Sequence, residues 1–138
     1  KKTGKVIVDH IASAFDVGTV VNPLQIRGTV LGGVIIGLGA ALYEKVEIDD
    51  AGNITNPHYF QYHIPTLKEA PRQTIEFVET PDPIGPFGAR GIGEHPVIGV
   101  APAILNAIFE AIGVDFYDLP VTPEKIRAAM ETRKENVK

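Results

Sequence analysis

The chain contains no cysteine. That removes disulfides, thiolate zinc sites and iron–sulfur ligation from its own chemistry, and leaves the redox compartment open. It is also short of positive charge. Thirteen Lys and Arg stand against 17 Asp and Glu, a formal charge of −4, with a pI near 5.5. A nucleic-acid partner held through its phosphates needs a basic face, so that class of partner is excluded. Long apolar runs are scarce as well. The longest uncharged stretch, Gly28 to Tyr43, has 16 residues, five of them glycine, against the roughly 20 that a transmembrane helix needs. A buried helix is the better reading, and no membrane partner is expected. No apolar segment follows the basic Lys1-Lys2-Thr3-Gly4-Lys5, so no signal peptide is read. With no start methionine, the chain reads as a mature subunit, a processed product or an excised fragment, in a cytoplasmic setting.

What is present is an ordinary globular composition, 44% apolar and 22% charged over 138 residues. This fits a single domain, 1–138, able to bury roughly two thirds of its unfolded surface. Lys5 to Ile11 is β-branched and reads as a strand. Asn22-Pro23 starts a helix, with Asn as cap and Pro at a position whose N–H is unpaired anyway. That helix runs to Tyr43 in spite of Gly28, Gly32, Gly33, Gly37 and Gly39, which would cost an isolated helix roughly 5 kcal/mol. Gly28 and Gly32, like Gly33 and Gly37, are four apart, so two smooth faces result where backbone or ligand can approach. Tyr43 to Asp49 alternates as a strand, and the turn Asp49–Asn53 leads into a hairpin partner from Ile54. Gln73 to Glu79 is a further strand. Val97 to Ile112 reads as an apolar helix with Pro102 inside it or at its true start, ended by Gly113. Thr122-Pro123 starts a last helix with Ile126, Ala129 and Met130 inward. The fold class that follows is α+β: a mixed sheet with about three helices packed on it.

The most informative stretch is T-P-D-P-I-G-P-F-G-A-R-G-I-G-E-H-P, Thr80 to Pro96. Proline and glycine at this density prevent a helix or a central strand, and a long irregular connection in a small domain is usually functional. Ile84, Phe87 and Ile92 argue for an ordered loop. Glu94 closes its glycines, either as a solvated first-turn residue favoured by the helix dipole or as a general base beside an apolar, water-poor pocket. Arg90 reads either as a ligand for an anion or as an exposed loop cation. The run Gly32–Gly39 lacks the Gly-Lys-Ser/Thr end of a phosphate loop, so helix packing explains it better than nucleotide binding. His10, His58, His63 and His95 show no metal-ligand spacing, and no metal ligand is assigned. The charged segment Glu124 to Lys138 reads as a solvated helix face.

Taken in order, several segments resemble one family. They are D-V-G-T-V-V-N-P (Asp16–Pro23), G-T-V-L-G-G-V-I-I-G-L-G-A-A-L-Y-E (Gly28–Glu44) and Y-H-I-P-T (Tyr62–Thr66). G-P-F-G-A-R-G-I-G-E (Gly85–Glu94), P-A-I-L-N-A-I (Pro102–Ile108) and L-P-V-T-P-E (Leu119–Glu124) follow. The chain is similar to the C-terminal part of the molybdenum-cofactor subunit of the xanthine dehydrogenase/aldehyde oxidase group. The resemblance implies a component of a molybdenum hydroxylase that oxidises an aldehyde or N-heterocycle with water-derived oxygen. In that family the Glu closing G-x-G-E acts as base on the metal-bound hydroxyl, a role that maps onto Glu94. Gly91, Ile92 and Gly93 match the loop whose backbone approaches the cofactor. The family commonly has Gln after the glycine matching Gly28, and Gln or Glu before the one matching Gly37. Here Thr29 and Ile36 stand there; Thr29 reaches less far, and Ile36 cannot hydrogen-bond a pterin.

The family's cofactor subunit is several times longer than this chain. The resemblance therefore implies a molybdopterin site shared with the remaining cofactor-binding polypeptide. It also implies electron transfer through iron–sulfur (2Fe-2S) and flavin (FAD) subunits, a small-molecule substrate and an oligomeric assembly. A second reading is a non-catalytic split or degenerate domain that helps assemble a larger oxidoreductase. A third, an independent nucleotide-binding domain, has the least support.

Overall fold

A computed structural model describes residues 2–136, with side chains described as far as Arg133. In chain order the elements are β1 (His10–Asp16), α1 (Pro23–Leu42), β2 (Arg72–Val78), α2 (His95–Ile98), α3 (Val100–Ile112) and α4 (Pro123–Asn136). The α+β class is as expected. β1 and β2 form a parallel ladder, His10 opposite Arg72 through Asp16 opposite Val78. Antiparallel pairing among the described residues is confined to single bridges, Gly18 with Ala89 and Ile48 with Ile54.

The first strand lies downstream of the expected Lys5–Ile11. Val6 and Val8 turn inward, then Ile11, Ser13 and Phe15 do, with Asp9 and His10 both exposed between them. Two exposed residues in succession break the period of two, so the ladder begins only after the slip. The hairpin forms its turn, in which Asp49 Oδ1 accepts from the Ala51 and Asn53 N–H groups at 3.0 and 2.8 Å. Its strands do not extend, because a side chain takes the ladder positions. Asn56, 8% exposed, accepts from Glu47 N at 2.9 Å and donates to Lys45 O at 2.7 Å.

α1 starts as its sequence dictates, with Asn22 Oδ1 accepting from Gln25 N at 3.1 Å and Pro23 following the cap. The cost of its glycines is offset by close packing. A Cβ on Gly33 would lie 2.6 Å from Pro96 Cβ, and one on Gly37 would lie 2.6 Å from Val100 Cβ. The second smooth face, Gly28 and Gly32, meets nothing within 4 Å. Val30, Val34 and Leu38 on α1 pack with Ile75, Ile104 and Ile108 as the centre of the core. By length and composition α1 and the α2–α3 pair could each cross a bilayer; burial of the α1 centre inside this fold accounts for its apolar character.

The helix expected over Val97–Ile112 begins at His95 and bends at Gly99, which caps α3. Pro102 falls in the first turn of α3, where its missing N–H costs no helical bond. Gly113 ends the helix at φ 67, as expected. In α4, Ile126 is buried and Ala129 and Met130 are half-buried, while Glu124, Arg127 and Glu131 face solvent. The end of the expected solvated face, beyond residue 133, lies outside the described side chains.

Candidate functional site

The Thr80–Glu94 loop is ordered by two carboxylates and one guanidinium. Asp16, the last residue of β1, accepts from Gly18 N at 3.0 Å and Thr80 N at 3.3 Å through Oδ1, and from Arg90 Nη1 at 3.0 Å through Oδ2. Asp82 Oδ1 accepts from Ile84 N and Gly85 N, both at 2.9 Å, and Arg90 Nε stands 3.4 Å from Asp82 Oδ2. The Gly18 N–H, foremost, holds the Asp16 carboxyl below its ordinary range, against some desolvation; Thr80 and Arg90 add to the lowering. The Ile84 and Gly85 N–H groups do the same for Asp82, with Arg90 adding to them. Arg90 is thus neither a free cation nor an open anion ligand. It ties two segments of the fold together.

The backbone reinforces the clamp. Gly88 O accepts from Thr19 N at 2.8 Å and Asp82 N at 2.9 Å, and Arg90 N donates to Val17 O at 2.9 Å. Gly18 sits at φ +65, and a Cβ there would collide with Gly88 O, which explains the glycine of D-V-G-T. At the loop tip Phe87 holds φ 55 and the residue is 91% exposed. A bulky residue in the left-handed region is sustained only where surrounding bonds over-determine it.

After Arg90 the character of the chain changes. The N–H groups of Gly91, Ile92, Gly93 and Glu94 donate to no acceptor among the described residues. A Cβ on Gly91 or Gly93 would meet nothing within 4 Å. Ile92 packs against the core, and two residues past Glu94, Pro96 is seated on Gly33. The carboxylate of Glu94 is exposed and does not cap α2; the chain does not itself form the dry pocket expected around it.

The packing of α1 on the segment after Glu94 has a defined direction. Pro96 meets Gly33 and Val100 meets Gly37, so both partners advance by four residues and run in the same direction. One turn earlier than Gly33 on α1 is Thr29. The hydroxyl of Thr29 donates to Gln25 O at 3.1 Å, and its lone pairs remain able to accept. Ile36 is exposed and aliphatic. Glu79, outside the matched motifs, is engaged: its Oε2 accepts from Val20 N at 2.8 Å.

The histidines are dispersed. His10 Nε2 lies 2.9 Å from Thr74 Oγ1, His63 Nε2 lies 3.0 Å from Glu69 Oε1, and His58 stacks on Phe60. The Y-H-I-P-T segment is structural just past the end of α1, with Tyr62 Oη donating to Glu44 Oε2 at 2.8 Å. An apolar cavity of about 660 Å³ lies between the N-terminal segment, α3 and α4. No residue of the Thr80–Glu94 loop lines it.

Asp16 and Gly18 were not singled out individually by the sequence reading. The signal available was one cation, Arg90, in a loop with Asp82, needing a second carboxylate.

The open segment fits a ligand that presents hydrogen-bond acceptors. It offers four successive unpaired N–H donors, a glycine backbone with room above it, and a carboxylate at its end. A family profile described as the molybdopterin cofactor-binding domain matches residues 1–71. The nicotine 6-hydroxylase large subunit of Paenarthrobacter nicotinovorans is 37% identical over 127 residues, 90% of this chain and 16% of that protein. The putative xanthine dehydrogenase molybdenum-binding subunit of Escherichia coli (strain K12) is 39% identical over 123 residues, 88% of this chain and 16% of that protein. Among solved structures, quinoline 2-oxidoreductase from Pseudomonas putida 86 superposes with a TM-score of 0.88 at 31% identity, over 94% of this chain and 17% of that one. These relatives are redox enzymes and subunits of such enzymes. The chain belongs to the molybdopterin cofactor-binding domain family, as found in molybdenum-binding subunits of xanthine dehydrogenases and aldehyde oxidoreductases. It spans about 16% of the length of the two relatives first named.

Proposed function

We propose that this chain supplies the catalytic Glu loop and one wall of the cofactor site in a molybdenum hydroxylase whose remaining cofactor-binding polypeptide closes the cavity. The observation that carries this is Glu94, exposed at the end of an open segment, Gly91–Gly93, whose N–H groups have no acceptor among the described residues. When bound, the molybdenum cofactor supplies the two-electron chemistry by which water-derived oxygen is added to the substrate. The Gly91, Ile92 and Gly93 N–H groups would donate to its oxygens, and Thr29 would accept a hydrogen bond from its pterin. Glu94 would take up a proton on a carboxylate oxygen. The substrate is an aldehyde or an N-heterocycle, and electrons leave through 2Fe-2S and FAD subunits, since this chain has no cysteine to ligate a cluster. Coverage by the other subunits excludes water from the site, in a cytoplasmic assembly.

Glu94→Gln in the assembled enzyme tests this, since the amide keeps the volume and cannot act as a carboxylate base. Turnover is expected to fall by about 10²–10⁴-fold with molybdenum content and folding unchanged; wild-type turnover would return Glu94 to a solvated first-turn residue. A second reading draws on Ile36, exposed and aliphatic where the resembled family has an amide or acid. It makes the chain a split or degenerate domain acting in assembly. Assembled enzyme in which this chain is present and molybdopterin absent would favour it.

A further inference from the structure

Glu94 lies on a short span fixed at both ends. On one side Pro96 is seated on Gly33, and on the other Arg90 is fixed three ways. Its backbone N–H donates to Val17 O at 2.9 Å, its Nη1 donates to Asp16 Oδ2 at 3.0 Å, and its Nε faces Asp82 Oδ2 at 3.4 Å. Between these anchors Gly91 and Gly93 supply no side-chain packing of their own. Only Ile92 contacts the core. A carboxylate carried on such a span is no better fixed than the anchors, and the guanidinium supplies the side-chain part of the Arg90 anchor.

We propose that Arg90 is a positioning residue for the reaction: by joining the end of β1 to the Thr80–Glu94 loop, it sets the location of the Glu94 carboxylate without touching substrate or cofactor. This rests on the reading of Glu94 as the base. The planar fork of Arg matters, because it addresses Asp16 and Asp82 from different nitrogens at once. Lys offers three donors from a single nitrogen and has no second nitrogen set apart from it, so it cannot reproduce the separate Nη1 and Nε contacts. Without the Arg90 guanidinium the two carboxylates would lose their shared counter-charge, and the base of the loop would be held by its backbone bonds and by Asp16 Oδ1 on Thr80 N alone.

The test uses the assembled enzyme with Arg90→Gln, Arg90→Lys, Glu94→Gln and the double variant Arg90→Gln/Glu94→Gln. Hydrogen exchange of the Thr19, Asp82 and Arg90 amides, read by mass spectrometry, is expected to quicken at least about tenfold in Arg90→Gln with the core of α1 unchanged. Turnover number is expected to fall on the order of 10- to 100-fold, the usual cost of a small misplacement of a reacting group. KM should stay near wild type, because Arg90 contacts no substrate. Arg90→Lys should fall between wild type and Arg90→Gln. The double variant should be no slower than Glu94→Gln alone, since a residue acting through Glu94 has nothing left to act on. Losses that add in the double variant, or unchanged exchange in Arg90→Gln, would overturn the proposal. If Glu94→Gln is inactive while Arg90→Gln turns over normally, the positioning role fails and the base assignment stands. If Glu94→Gln turns over normally, the base assignment itself fails and the positioning role with it.

Discussion

Four glycines of α1 carry the same sequence signature and divide into two kinds. Gly33 and Gly37 are pressed by Pro96 and Val100, and Gly28 and Gly32 face open space. Gly33→Ala should therefore lower the urea midpoint, by an overpacking cost of about 1–3 kcal/mol. Gly32→Ala should raise it by about 1 kcal/mol through helix propensity alone. Equal effects would mean that the Gly33 contact does not govern packing. In the assembled enzyme the sign at Gly32 should reverse if a partner seats there. Glutamates divide similarly. Glu94 is unengaged, whereas Glu79 holds Val20 N. Glu110 is exposed on α3, and Glu110→Gln should leave turnover unchanged. Sequence order makes Glu94 a candidate. It was not enough to reveal that Arg90 is committed to Asp16, because that partner arrives from β1, far away along the chain.

At the scale of elements, helix ends were legible because their causes are local: Asn22 caps, Pro23 starts and Gly113 stops. Strands were less so. β1 was displaced by the slip at Asp9–His10, and the hairpin lost its ladder to one buried amide, Asn56; both depend on what packs from elsewhere. The loop's dependence on carboxylates gives a pH prediction. Asp16 and Asp82 both have folded values below the ordinary 3.8. A depressed carboxyl adds stability that is fully present above its unfolded value and is lost as pH falls through its folded value. The Thr80–Arg90 loop should therefore keep its order from neutrality to about pH 4 and lose it below, ahead of the apolar core. Protease accessibility of the Gly85–Gly88 tip against pH checks this. A loop that loosened instead on raising the pH from 5 to 8 would show that other groups hold it.

For the molecule as a whole, the apolar surface left uncovered is extensive. Leu24, Ile36, Ile84, Phe87 and Ile98 are all exposed, on α1, the loop and α2. Patches of this kind mark contact surfaces. Expressed alone, the chain should self-associate and retain no stoichiometric molybdenum after gel filtration, whereas co-expression with the rest of the cofactor-binding polypeptide should yield a defined complex. A monodisperse monomer carrying molybdenum would contradict both expectations. The parallel ladder has another consequence. Its two strands lie on opposite sides of the exposed turn at Gly52, and so do the helices that meet at Gly33 and Gly37. A cut at that turn would leave β1 and α1 on one piece and β2, α2, α3 and α4 on the other, neither holding a complete core. The halves are complementary, and mixing them should restore the fold that neither adopts alone, a built-in seam along which the domain can be divided and rejoined.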